Sequence, residues 1–232
     1  EVTITRYLSG QIPSKEYSDI MKMALSSPTF MKKKLQENKE KIASAAYNKA
    51  MDAAVQLETL FSVSDKMLRV IAYVFEKLEE VTPLMLQKLL YFIQGESYVL
   101  NGKPMFCENC QAWIHGPVYP EVYYMFSDFK YNPIEDARFA IFKGAEDELT
   151  KEEQKVVDLV VNTFGEYGAK MLERITHEET PWKFARKGYA DNIPSHETIT
   201  MESIENYYTE KNKEYDFTAE DGLKQYIRDI LQ

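Results

Sequence analysis

Apolar positions recur at helical spacing along most of the chain. Tyr17, Ile20, Met21 and Leu25 follow Ser14 at steps of three and four, which predicts a capped helix through Met23. Ser27 and Pro28 read as the N-cap and first residue of another helix. From Ile42 to Phe61 the pattern is a long helix in which Ala45, Ala46, Ala50, Ala53, Ala54 and Leu57 make a stripe of small residues suited to close helix contact. Ser64 or Asp65 opens a helix expected to run through Val81. Thr82-Pro83 then opens one from Leu84 to about Leu100. That segment is apolar on nearly every face, as expected of a helix at the centre of its domain. Asn101-Gly102 closes it in a tight turn. Between residues 103 and 120 the period changes. Ala112-Trp113-Ile114 reads as a short strand running into the turn His115-Gly116-Pro117, with Arg138 to Phe142 as a candidate pairing strand. Helices resume after Pro120. Thr150 with Glu153 forms a capping box for a helix through Phe164, and Thr180-Pro181 and Thr218 with Asp221 mark two further starts. The expectation is a mainly α fold with a small β element.

Charge divides the chain. The 232 residues carry 28 Lys+Arg against 37 Asp+Glu, a formal net charge of −9. Residues 1–60 hold nine basic and seven acidic residues, net +2, whereas residues 61–232 hold nineteen and thirty, net −11. Acidity of that size argues against nucleic-acid contact by the larger part, because phosphate binding requires basic surface. The front segment escapes the objection. With 44% hydrophobic and 13% aromatic residues the chain suits a packed globule. Its longest apolar runs, such as Val70 to Phe75, fall well short of the roughly 18 residues a membrane span needs. Two cysteines, Cys107 and Cys110, fit a reducing cytoplasm and not a disulfide scaffold.

Catalytic signals are thin. Cys107-Glu-Asn-Cys110 has the spacing of half a zinc site or of a redox pair, but no second cysteine pair completes four ligands. A redox pair should also open a helix in a βαβ setting, and none is in view. His115, His177 and His196 lie in no nucleophile-elbow or zinc-protease context. Thr176-His177-Glu178-Glu179 is read as capping the helix at Pro181-Trp182, where carboxylates suit the positive helix end. No phosphate-binding or dinucleotide fingerprint occurs. Neither an enzymatic activity nor a cofactor is expected, and Cys107 and Cys110 remain weak metal candidates.

At the front, Val2 to Pro13 resembles the recognition helix and following turn of a repressor-type helix-turn-helix. There Thr3 and Thr5 would face bases or phosphates and Arg6 a phosphate or guanine, with Ile4 and Leu8 turned to the domain core. Further along, three ordered motifs resemble the Panacea family of SocA/GepA-like antitoxin domains, common in prophages and mobile elements. They are Thr82 to Gly95 (TPLMLQKLLYFIQG), Gly102 to Phe106 with Ala112 to Tyr123 (AWIHGPVYPEVY), and Thr176 to Trp182 with Ala185-Arg186. Cys107, Cys110 and His115 depart from the residues usual there. The front is similar to the end of the helix-turn-helix in MqsA-type antitoxins, whose remaining part would precede Glu1.

The resemblance implies residues 1–26 as the remnant of a DNA-binding domain and 64–232 as a Panacea-like domain, joined by a helical connector over 27–63 whose alanine stripe suits a dimer seam as readily as packing inside one domain. It implies a cytoplasmic, non-enzymatic antitoxin of a type II toxin-antitoxin system. Such a protein would neutralise a cognate toxin by direct binding and repress its own operon through operator DNA. The alternatives are a transcriptional regulator of a mobile element and an adaptor delivering a toxin to a Clp-type protease. Aromatic anchors carry most binding energy at protein interfaces. The candidate contact residues are therefore Trp113, His115, Tyr119, Tyr123, Tyr124 and Trp182.

Overall fold

The computed structural model describes residues 12, 14, 15, 17–20, 27–135 and 149–232, and the chain divides into two compact units, Glu1–Ser62 and Val63–Gln232. Thr3, Thr5 and Arg6, the expected DNA readers, lie outside the described residues, as do residues 138–142, the expected pairing strand.

In the first unit, residues 17–20 are helical behind Ser14, whose hydroxyl accepts from the Tyr17 N–H at 3.4 Å. Helix α1 (Pro28–Glu37) starts where Ser27 Oγ accepts from the Phe30 N–H at 3.3 Å. A 3-10 turn (Lys39–Lys41) leads to α2 (Ser44–Phe61). The expected start at Ile42 is corrected by two residues, because Ile42 stays extended at φ −116° and ψ 132°. The two helices are joined by a Lys32–Glu58 ion pair of 2.8 Å. Of the alanine stripe, Ala54 is buried while Ala45, Ala46 and Ala53 stay exposed.

The second unit is built around one helix. Helix α3 (Asp65–Lys77) is capped by Ser64, which accepts from the Met67 N–H at 3.2 Å. It ends four residues before the expected Val81. Leu78 is extended, and the residue before Pro83 is sterically pushed out of the helical region, so the intervening chain cannot continue the helix. Helix α4 (Pro83–Asn101) then begins behind Thr82, and an unbroken stretch from Met85 to Tyr98 is buried. Strand β1 (Cys110–Trp113) turns at Ile114-His115 into β2 (Gly116–Val118), followed by α5 (Pro120–Phe126). After the capping box of Thr150 and Glu153 come α6 (Lys151–Phe164), α7 (Ala169–Glu178) and α8 (Thr180–Ala185). Strand β3 (Thr198–Ile199), α9 (Met201–Tyr215) and α10 (Glu220–Ile230) complete the unit. The start expected at Thr218 falls at Glu220 instead, because the Thr218 hydroxyl is engaged by Asp216 at 2.6 Å rather than by the helix end. The sheet is antiparallel in the order β2-β1-β3, with Trp113 opposite Gly116 and Cys110 opposite Ile199.

Helix α4 is the core because α6, α7 and α9 all pack on it. Phe92 stacks on Phe164 of α6 with ring centroids 4.0 Å apart, a contact that adds to the area both rings bury. Tyr208 of α9 lies over Gly95, where any Cβ would overlap the phenol ring. Gly95→Ala is therefore expected to lower the unfolding free energy by about 2 kcal/mol through overpacking. Urea denaturation checks this, and an unchanged midpoint would show that the ring has room to shift.

Candidate partner-binding site

The hairpin β1–β2 is pinned to the core from two sides. On one side α4 reaches up. Gln87 Oε1 accepts from the Tyr119 N–H at 2.7 Å, and Lys88 Nζ donates to the Pro117 carbonyl at 2.9 Å. Gly116 makes that approach possible. Its φ is +95°, and a Cβ there would sit 2.7 Å from Lys88 Nζ. On the other side α8 holds β1. Trp182 Nε1 donates to the Trp113 carbonyl at 2.9 Å, and Arg186 donates to the Ala112 carbonyl at 3.3 Å. Arg186 also donates to the carbonyls of Ala190, Asp191 and Ile193 at 3.1, 3.4 and 2.8 Å, fixing the loop that carries Pro194, Ser195 and His196.

These supports hold an open cavity of about 480 Å³, within the size range of ligand and anchor pockets. Leu84, Ile114, Val118 and Tyr123 make much of its apolar lining, and Trp113 and His196 stand in its wall. Trp113 is half-buried and is the hub of an aromatic cluster. Its ring centroid lies 4.9 Å from that of Tyr123, 6.3 Å from Tyr124 and 5.4 Å from His196. Tyr124 is 59% exposed and Tyr123 37%. At the rim, His115 Nδ1 and Lys170 Nζ both meet the Glu173 carboxylate, at 3.0 and 2.7 Å. Partial burial alone would raise the Glu173 carboxyl, but Lys170 and His115 together hold it below the usual range.

Of the six residues expected to touch a partner, Trp113, His115, Tyr123 and Tyr124 thus share one surface. Tyr119 and Trp182 do not. Tyr119 is 1% exposed and packs edge-on against Phe106 with centroids 5.2 Å apart. Trp182 is 9% exposed, stacked on His177 at 4.0 Å and covered by Arg186. Both are core residues, and their part is to shape the hairpin. The cavity also draws on residues that sequence reasoning missed, namely Lys130, Lys170 and the Pro194–His196 wall.

The remaining candidate chemistry lies elsewhere. Cys107 is exposed, whereas Cys110 is buried in β1, where burial pushes its thiol up to about 12. Among the described residues no three His, Cys, Asp or Glu side chains come together as a metal-binding group. Burial likewise lowers the His177 imidazole, favouring the neutral ring. Glu179 occupies the N-cap of α8 but makes no capping bond there, contrary to the expected role. Its carboxylate turns inward and accepts from Tyr226 at 2.8 Å and from Tyr208 at 3.4 Å.

Comparison with known proteins finds similarity over the segment that carries this site. Residues 86–183, which contain the hairpin, α5 and Trp182, match the family described as "Antitoxin SocA-like, Panacea domain". A curated relative is Antitoxin SocA of Caulobacter vibrioides (strain NA1000 / CB15N), 30% identical over 120 residues that make up 49% of this chain and 64% of SocA. The chain thus spans less than two thirds of that relative's length. No solved structure matches it. No helix among the described residues is long and apolar enough to cross a membrane.

Proposed function

We propose that this chain is the antitoxin of a toxin-antitoxin pair, neutralising a cognate toxin by direct binding through the surface around Trp113. The observation that carries the reading is a partly exposed aromatic cluster beside an open apolar cavity, inside the stretch similar to SocA-like antitoxins. Monomeric surfaces seldom leave such a cluster uncovered, and tyrosine and tryptophan are the usual anchors of protein interfaces. The reading is non-enzymatic, since steric occlusion of a toxin needs only a fitted surface. In the same reading residues 1–26 serve operator binding and autoregulation, and residues 27–63 serve self-association. Delivery of the toxin to a Clp-type protease is the alternative route to the same end.

Co-expression with the product of the neighbouring reading frame tests this. Wild-type chain should restore growth and retain that product on an affinity resin. Trp113→Ala and Tyr124→Ala should each weaken capture by about 30-fold, the loss of a 2 kcal/mol anchor. Because the Tyr124 ring is largely exposed, its removal should leave thermal unfolding unchanged. Undiminished capture by both variants would overturn the assignment of the surface.

A further inference from the structure

We infer that the cavity beside Trp113 is built for an apolar side chain carried next to a carboxylate, on an acidic–apolar segment of the protein partner. The inference rests on the reading that this surface binds a partner, and adds what that partner must present. Its basis is a charge balance opposite to that of the chain. Residues 61–232 carry a net −11, yet the formally charged residues among those described lining the cavity are Lys130 and Lys170, with no carboxylate.

The surplus can be traced residue by residue. Lys170 is paired with Glu173, but that single carboxylate is shared with His115, and the Lys170 side chain remains 76% exposed. Lys130 has no carboxylate partner among the described residues. Its backbone is also unusual: φ is +57° and ψ −107°, a conformation that lysine adopts only with strain. The side chain is exposed and belongs to the cavity lining. An apolar lining that includes two lysines complements a leucine or aromatic side chain with an adjacent Asp, Glu or terminal carboxylate. A carboxylate leaving water there would gain charge-assisted contacts worth more than neutral ones. Long-range attraction and local fit therefore have different signs. The acidic chain as a whole steers a basic partner toward it, while the cavity selects an acidic segment of that partner.

The full chain can be titrated with three synthetic hexapeptides, Gly-Glu-Leu-Phe-Glu-Gly and its counterparts with Gln or Lys in place of Glu. The readout is the NMR shift of the Trp113 indole N–H, followed to about 1 mM, where weak anchors are still visible. The Glu peptide should bind about tenfold more tightly than the Lys peptide, with the Gln peptide between them. The double variant Lys130→Glu/Lys170→Glu should reverse the order. A reversed preference cannot arise from misfolding, since a damaged site would lose all three peptides. Equal affinities, preference for the Lys peptide or no binding would overturn the inference. So would a Trp113 shift that follows self-association in sedimentation, which would assign the cavity to a second copy of the chain. If charge preference fails while toxin capture still depends on Trp113 and Tyr124, this inference falls and the proposed function stands. If capture is independent of both residues, the surface assignment falls first.

Discussion

Arg186→Leu is expected to lower the unfolding free energy by about 3 kcal/mol and to loosen the wall of the cavity at the same time. Arg186 is 5% exposed, and its guanidinium lies 5.2 Å from the centre of the Trp182 ring and donates to four backbone carbonyls in two segments. Hydrogen bonds to a charged donor contribute about 1.5–3 kcal/mol each, but the four do not add, because one side chain serves them all. Removing the cation also relieves its desolvation, which offsets part of the loss. The net figure stays large because leucine leaves the Ala112 carbonyl facing an apolar group. Arg186→Lys separates charge from geometry. An ammonium keeps the charge but cannot span the fork, so about half of the loss should remain. Urea denaturation gives the magnitude, and amide exchange the location. Faster exchange should concentrate at residues 190–199 and at the Ala112 N–H, which donates to the Glu197 carbonyl at 2.8 Å. Uniform acceleration across the unit would show that Arg186 supports the whole fold and not this clamp.

How much of this was legible in the sequence depends on the range of each interaction. The caps at Ser27, Ser64, Thr82 and the Thr150–Glu153 box are bonds between residues three apart, and each starts a helix where the pattern places it. The central burial of α4 was legible because apolar residues occupy nearly every face of the helix. Helix α9 was not, since only Ile204 and Tyr208 among its fifteen residues are buried, too few to mark a period. Strand β3 has two residues and exists only because β1 offers an unpaired edge. At the site, the AWIHGPVYPEVY motif and the tyrosine that follows it located Trp113, His115, Tyr123 and Tyr124. It could not separate them from Tyr119, since that distinction depends on Phe106 and Gln87 arriving from other elements. Lys130, Lys170 and His196 come from three distant segments, and only the tertiary fold brings them to one cavity. Burial of Lys88, Glu96 and Glu179 was equally hidden. Each reads as an ordinary solvent-facing charge until its neighbours surround it.

Those buried charges set the second large effect, a loss of stability as pH rises from about 4.5 to 7. Glu179 is fully buried, and burial pushes its carboxyl up to about 7 despite the opposing hydroxyl bonds from its tyrosines. In that interval the unfolded chain has released the proton while the folded chain keeps it. Unfolding is then favoured as pH rises, by about 3 kcal/mol across the window. Glu96 acts in the same direction, because burial raises it well above its ordinary value and neither of its oxygens has a hydrogen-bond partner among the described residues. His177 acts against them, since burial lowers its imidazole and protonation of the unfolded chain weakens the fold below 6.5. Lys88, which burial lowers to about 7, stays charged in both states across most of the window, and its contribution lies higher, between 7 and 10.5. The carboxyls of exposed Glu37 and Glu152 and of partly buried Glu153 and Glu173 are held low and titrate below 4.5. Glu179→Gln isolates the one term, because the amide still accepts from Tyr226 and cannot ionise. Relative to this variant, wild type should lose about 3 kcal/mol between pH 4.5 and 7. Chemical denaturation of both chains at each pH measures the difference. Parallel curves would mean that Glu179 is solvated in the folded state, and with it the N-terminus of the helix that carries Trp182 and is followed by Arg186.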